Sequence, residues 1–390
     1  MSENKLILSG LQIHAEEGLL ENASVIVQGN RIHSIKQGVK ASLSDKTFDF
    51  PSTYHLVPGF IDLHVHGAAG SDVMDATSEA LNIIRQALVK EGVTSFLATT
   101  MTASPEAIEK TLLTVRDVMH NQADEQGAKI IGVHLEGPFL SLEKVGAQNA
   151  KDILMPDVQW IKQWQSVSQN TIKLVTIAPE LPHSLEFIRY LHQENIVASM
   201  GHTNATYQEG RAAIEAGCTH ATHLFNAMRG IHQREPGIAT AILLSEKVTT
   251  ELIVDGVHLD PAIVQLALKL KGNDRIVLVT DAMRAKCLGD GKYDLGGQAV
   301  IVKNDIACLE SGTLAGSVLK MNSAIQNMLK FTDLPLIDVI KMASENPAKV
   351  LKIFSERGSI SVGKFADLVV LDEGYDVVMT VSEGRIMFSR

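Results

Sequence analysis

Hydrophobic and polar positions alternate near both ends of the chain and take on a helical spacing in between. The apolar-rich run Ala23-Ser24-Val25-Ile26-Val27 is followed by Gly29-Asn30-Arg31 and then by Ile32 and Ile35, a pattern that predicts a hairpin turning at Gly-Asn. The same texture returns near the C-terminus. Residues 366–372 and 377–381 are β-rich, with Gly384-Arg385 ahead of a final short strand. These two stretches predict a small β-sandwich domain assembled from both chain ends, residues 1–57 and 359–390.

Between them the period changes. Residues 78–91 carry Ala80, Leu81, Ile83, Ile84, Ala87 and Leu88 at helical spacing, and Gly92 follows as the expected C-terminal cap. The run 93–100 then predicts a buried strand. The unit recurs: a helix at 107–119 before a strand at 130–136, a strand at 174–180, a helix at 185–194 before a strand at 196–202, and a helix at 207–216 before a strand at 220–223. Strands at 252–255 and 276–281 flank a helix at 262–270, and another helix is expected to begin near Val318. Alternating β and α units with near-continuous apolar strands indicate a parallel sheet. About eight such strands favour an α/β chain with a (β/α)8 TIM-like barrel over residues 58–358.

The chemistry collects just after the apolar runs. His64 and His66 end Pro58-Gly59-Phe60-Ile61-Asp62-Leu63-His64-Val65-His66-Gly67, and on a strand both leave the same face, so that two imidazoles reach one ion. Alone, the pair equally suits two hydrogen-bonded histidines on a half-buried strand. Glu136, His202, His223, His258 and Asp281 each follow another apolar run. Taken singly, Glu136 suits a helix cap or a lysine partner, His202 and His223 suit turns, and Asp281 suits a cap or a salt bridge. In a closed barrel, however, the strand C-termini open on one face, and these residues converge there. Imidazole and carboxylate donors suit zinc, iron or another first-row divalent metal, as one ion or two. A carboxylate beside such a metal accepts and later returns the proton of an activated water, the role open to Asp281. Arg234, in His-Gln-Arg-Glu-Pro-Gly, is a donor fork for an oxyanion or else a partner for Glu235. Gly312-Thr313-Leu314-Ala315-Gly316-Ser317 is a small-residue loop that suits either a ligand or a simple turn.

Composition narrows the class. With 390 residues, 45% of them hydrophobic and 21% charged, the chain has enough apolar content for a large core. A net charge of -10 disfavours broad binding of nucleic acid or an anionic membrane, and leaves room for a local positive pocket. The opening Met-Ser-Glu-Asn-Lys has no basic region leading into an apolar one, so no signal peptide is expected, and no apolar run is long enough to span a bilayer. Cys218, Cys287 and Cys308 are far apart and odd in number, which suits a reducing, cytoplasmic compartment and apolar filling rather than a disulfide framework. There is no Gly-x-Ser-x-Gly elbow and no cysteine paired with a histidine, so activated water is the better nucleophile.

The strings His-Leu-Glu-Gly-Pro-Phe, Gly-His-Thr-Asn-Ala-Thr, Thr-His-Leu-Phe-Asn-Ala-Met, Arg-Glu-Pro-Gly, Asp-Gly-Val-His, Leu-Val-Thr-Asp-Ala-Met and Gly-Thr-Leu-Ala-Gly-Ser, together with the His-x-His segment, resemble the amidohydrolase superfamily. Within it they resemble the N-acetylglucosamine-6-phosphate deacetylases. The resemblance runs over nearly the whole chain. It implies hydrolysis of the acetamide of N-acetylglucosamine 6-phosphate to glucosamine 6-phosphate and acetate, with the galactosamine epimer as the alternative substrate. By the same likeness Glu136, His202 and His223 are the main metal ligands, His64 and His66 ligate a second ion, and Asp281 is the general base and acid. Asn226, Ala227 and Arg234 grip the phosphate, His258 contacts the substrate, and Ala147, Gln148, Leu314, Ala315 and Gly316 line its site. The resemblance further implies a zinc or iron cofactor and a homodimer. One departure stands out: the family usually reads Lys-Gly-Ala-His where this chain has Val145-Gly146-Ala147-Gln148, and glutamine cannot titrate. A dihydroorotase-like enzyme would need a carboxylated lysine at a strand end, but Lys173 begins its strand. A catalytically dead scaffold would have lost the ligands or the aspartate, and all are present.

Overall fold

The structure, a computed structural model, describes residues 5–37, 46–122 and 127–390. Residues 1–4, on which the reading of the leader partly rests, lie outside them. Eight parallel strands, Phe60–Val65, Val93–Thr99, Lys129–Glu136, Ile172–Ile177, Val197–Met200, His220–Ala221, Thr249–Leu252 and Ile276–Leu278, pair in chain order. The ends of the row meet: Val65 bridges Ala282 in parallel, and the Asp281 N–H donates to the His64 carbonyl at 2.8 Å. The expected (β/α)8 barrel is therefore what forms.

Each helix follows from local chemistry. The helix Ser78–Leu88 starts where the Thr77 hydroxyl accepts from the Ala80 N–H, and it buries Ala80, Leu81, Ile84, Ala87 and Leu88 against the barrel. A short 3-10 turn then ends at Gly92, with φ +87°, where a Cβ would stand 2.5 Å from the Phe60 ring. The helix Tyr207–Ala216 opens with a reciprocal Thr206–Glu209 capping box and closes at Gly217, φ +117°. Beneath the helices, Phe139 packs on Trp164 and Phe187 with ring centroids 6.1 and 4.8 Å apart.

Three elements differ from the sequence expectation. The seventh barrel strand spans Thr249–Leu252 rather than 252–255, because its polar residues Thr250 and Glu251 are fully buried; an apolar-run reading skips them. The last long helix begins at Met321 rather than near Val318. An antiparallel sheet of Gly291–Leu295, Gln298–Lys303 and Ile306–Leu309 was not anticipated; it packs Leu295, Val300 and Val302 on Met101, Ala147 and Met283.

Strands from both termini form one further sheet. Its order runs from Arg385–Ser389 through Val377–Ser382, Leu368–Leu371, His55–Pro58 and Leu6–Ala15 to Gly18–Gln28 and Arg31–Gln37, with Lys46–Asp49 beside Leu6–Ala15. It wraps a core of its own that includes Leu8, Leu11, Val25, Leu56, Leu368 and Val381. Among the described residues, no helix is long and apolar enough to cross a membrane.

Within this sheet His14 is buried, with its Nε2 3.1 Å from His55 Nδ1. Burial first, and the neighbouring His55 second, push its pKa from 6.5 down to about 4. Between those values the unfolded chain takes up a proton that the folded chain refuses, so stability is lost as the pH falls through that window. Replacing His14 by leucine should reduce the loss of stability between pH 7 and pH 4.5 by on the order of 1–3 kcal/mol. Urea unfolding of both proteins at the two pH values measures it, and an unchanged difference would refute the assignment.

Candidate active site

Every strand-end residue singled out above except His258 meets at the mouth of the barrel within hydrogen-bonding range of another. Glu136 closes the strand Lys129–Glu136, and its Oε1 lies 3.2 Å from His202 Nε2, 3.1 Å from His223 Nε2 and 3.4 Å from His64 Nε2. Its Oε2 lies 3.2 Å from His66 Nε2. Asp281 Oδ1 stands 3.4 Å from His64 Nε2 and 3.2 Å from His66 Nε2. The side chains of His64, His66, Glu136 and His223 are almost wholly buried.

The backbone at these positions is unusual. His202, His223 and Asp281 have φ of +47°, +30° and +47°, a left-handed region that costs non-glycine residues on the order of 1–3 kcal/mol each. The adjoining loops hold them there. Glu180 accepts from Thr203 Oγ1 at 2.5 Å and from the Asn204 N–H at 2.6 Å, securing the turn after His202. Gly146, φ +60°, lets the next loop pass: a Cβ there would stand 3.2 Å from the His202 ring.

The electrostatics favour positive charge. Burial alone would raise the pKa of Glu136, but His64 and the hydrogen bonds from His202 and His223 hold it well below the usual carboxylate range. Burial pushes Asp281 up too, and His64 and His66 overcome this to hold it at about 2. Burial pulls His66 down, yet its bonds to Asp281 and Glu136 lift it to about 9.

These donors fit metal ions. The Nε2 atoms of His202 and His223 face each other at 3.2 Å, and those of His64 and His66 at 3.3 Å. Tetrahedral coordination with metal–nitrogen bonds of about 2.0–2.1 Å puts neighbouring donors about 3.3 Å apart. His202 Nδ1 is 2.9 Å from the Lys144 carbonyl, to which it donates, leaving the Nε2 lone pair free. Glu136, His202 and His223 form one possible metal-holding group, His64, His66 and Asp281 a second, and His64, His134 and Glu251, deeper in the barrel, a third.

Above them opens a cavity of about 400 Å³. Of the residues expected in the site, Ala147, Gln148, Asn226, Ala227, His258, Leu314 and Gly316 line it, with His66, Glu136, His202, His223 and Asp281 at its base. His64 lies beneath, fully buried. His258 is oriented by Asp255, whose Oδ2 is 2.7 Å from its Nδ1. Two expected residues are not part of the lining. Ala315 is fully buried and its N–H donates to the Ala307 carbonyl, which ties it to the inserted sheet. Arg234 is exposed, on the loop pinned by Gly237 N–H to Gly230 O, and does not line the cavity; Glu235 pairs with Arg229 instead, at 3.3 Å. Gln148 is also engaged differently from a free sugar contact: its Nε2 donates to Glu136 Oε2 at 2.7 Å and its Oε1 accepts from the Thr102 N–H at 2.7 Å. Lys173 is exposed and donates to the Asn170 carbonyl, far from any bridging role.

Sequence reading missed Glu180, Glu251 and Lys144. Glu251 contacts His64 and His223 from inside the barrel, and the signal was an acidic residue in period-two register within Thr-Thr-Glu-Leu. Lys144 is the one lysine or arginine lining the cavity among the described residues, and nothing in its local sequence marks it.

Residues 55–387 match the amidohydrolase family. The chain is 42% identical over 386 residues to the N-acetylglucosamine-6-phosphate deacetylase of Bacillus subtilis, covering 98% of this chain and 97% of that protein. It is 35% identical to an N-acetylgalactosamine-6-phosphate deacetylase of Escherichia coli O157:H7, covering 97% of this chain and 98% of the relative. A solved variant of the Mycobacterium smegmatis deacetylase, in complex with N-acetylglucosamine 6-phosphate, superposes with a TM-score of 0.91 at 33% identity and covers 100% of each chain.

Because Glu136 faces four imidazoles, Glu136→Gln should weaken divalent metal retention at least tenfold while the protein stays folded. Metal content after dialysis against a chelator, with circular dichroism as the control, checks this; wild-type retention would remove Glu136 from the ligand set.

Proposed function

The chain belongs to the amidohydrolase family, and from that premise we propose that it is an N-acetylglucosamine-6-phosphate deacetylase, releasing acetate and glucosamine 6-phosphate in amino-sugar catabolism. The observation that carries the reading is the meeting of Glu136, His202 and His223 with Asp281 at the base of one cavity. The relatives that match nearly the whole chain act, by name, on this class of substrate.

Glu136, His202 and His223 are the residues that would hold a divalent cation, with His64 and His66 available to a second; zinc and iron both suit this donor set. In that cradle a bound cation supplies Lewis acidity to the amide carbonyl and lowers the pKa of a water to about 7. Asp281 has its Oδ1 beside His66 and faces the cavity, placed to accept the proton of the attacking water. As the C–N bond breaks, Asp281 returns that proton to the departing nitrogen. That transfer leaves Asp281 as a carboxylate, ready for the next turnover.

The remaining wall orients the substrate. His258, held by Asp255, presents its free ring nitrogen toward the sugar. Asn226, Ala227 and Lys144 face the phosphate, with Arg234 as a further cation assigned by family likeness and standing outside the cavity of this chain. Ala147, Leu314 and Gly316 close on the ring. Binding energy from the phosphate, remote from the reacting bond, fixes the acetamide against Asp281. We place the protein in the cytoplasm as a homodimer, in keeping with its family.

Asp281→Asn should lower kcat at least a hundredfold while metal content stays at the wild-type level. Near-normal acetate release by that variant would remove Asp281 from proton transfer. Comparison of kcat/KM on the two N-acetylated hexosamine 6-phosphates should favour the glucosamine epimer; a preference for the galactosamine epimer would establish the alternative. Absence of acetate release from both would refute the assignment.

A further inference from the structure

Glu251 is the buried acid that this reaction leaves without a task. It lies on the strand Thr249–Leu252 with no exposed surface. An ionised carboxylate so deep in a barrel needs compensating partners. Among the described residues no lysine or arginine pairs with it; its charged-group contacts there are imidazoles. Its Oε2 takes two hydrogen bonds, one from His64 Nδ1 at 3.0 Å and one from the His223 backbone N–H at 3.1 Å. Its Oε1 has no hydrogen-bond donor among the described residues, with His220 Nδ1 3.9 Å away.

The hydroxyl layer of the barrel interior does not hydrogen-bond this acid. Thr176 and Ser199 each hydrogen-bond Thr222, at 2.8 and 2.6 Å, and Ser199 lies 3.0 Å from His220 Nδ1, so these bonds are made without Glu251. Both bonds of Glu251 go instead to the site. The first places the His64 proton on Nδ1 and turns its Nε2 lone pair toward His66 and Asp281. The second holds the N–H of His223, whose φ is +30°.

We propose that Glu251 is a positioning residue: it commits His64 to bind a second cation through Nε2, and it ties the cradle of His64, His66 and Asp281 to that of Glu136, His202 and His223. The proposal rests on the metal-dependent reading above, and it adds a residue that lies outside both of these cradles.

The test is zinc binding to the metal-stripped full-length protein, by titration calorimetry and chelator competition, for wild type, Glu251→Gln, His64→Gln and the double variant. Wild type should bind two equivalents. Glu251→Gln should weaken one of them about 10–100-fold and leave the other near wild type. The double variant should bind that weakened equivalent no more weakly than His64→Gln alone, because Glu251 acts on that cradle through His64; a merely structural role predicts additive losses. Should Glu251→Gln fail to fold, Glu251→Asp, which keeps the charge but withdraws the carboxylate from Nδ1, should give the same selective loss. Unchanged binding in the Glu251 variant, equal loss of both equivalents, or additivity would overturn the proposal. A wild-type chain that binds one equivalent would overturn it too, with the ligand set of Glu136, His202 and His223 left standing. Absence of zinc binding would sink the reading beneath it as well.

Discussion

One buried carboxylate, Glu136, stands against the nitrogens of four imidazoles at 3.1–3.4 Å, and the rest of the molecule is arranged to make that meeting possible. In a dry interior neither a lone anion nor a set of lone pairs aimed at one another is tolerable. Only positive charge between them resolves it, either as shared protons or as a metal. The four histidines come from three barrel strands and the turns after them, and none approaches Glu136 unless the barrel closes. Closure and site geometry are thus one constraint: the Asp281 N–H that bonds the His64 carbonyl is both the seam of the barrel and the placement of the Asp281 carboxylate beside His64 and His66.

The strain at the rim is offset by the same network. His202, His223 and Asp281 are left-handed, and each is tied through its own backbone. The His202 carbonyl accepts from the Ser141 N–H, the His223 N–H bonds Glu251, and the Asp281 carbonyl accepts from the Ser317 N–H. A site built at strand ends of a rigid barrel can hold conformations that a free loop would relax. The polar interior layer contributes as well. Glu251 reaches up from inside the cylinder, so the site is braced from below as well as lined from above.

The cavity wall is more composite than its base. The inserted antiparallel sheet presses Leu295 toward the opening, and the Gln298 amide donates to the Ala147 carbonyl at 2.6 Å. Gln148 spends both ends of its amide on Glu136 and Thr102. A histidine at that position would offer one donor and one acceptor in fixed directions, whereas the amide clamps the carboxylate.

The sequence by itself determined the barrel and the base of the site. Alternation of helical and strand periods is a local property, and residues placed after successive apolar runs must share one face once those runs become parallel strands. Hence the His64, His66, Glu136, His202, His223 and Asp281 set was legible, as were the hairpin near Gly29-Asn30 and the cap at Gly92. What only the tertiary structure decided is what depends on direction across space. Glu251 was hidden because a buried acid inside a strand looks like a break in an apolar run, which also displaced the bounds of that strand. Lys144 and Gln148 reach the cavity from a loop folded over His202, and Arg234 is exposed outside the lining. A side chain's partners are set by distances between elements far apart in the chain, and no local pattern encodes those distances.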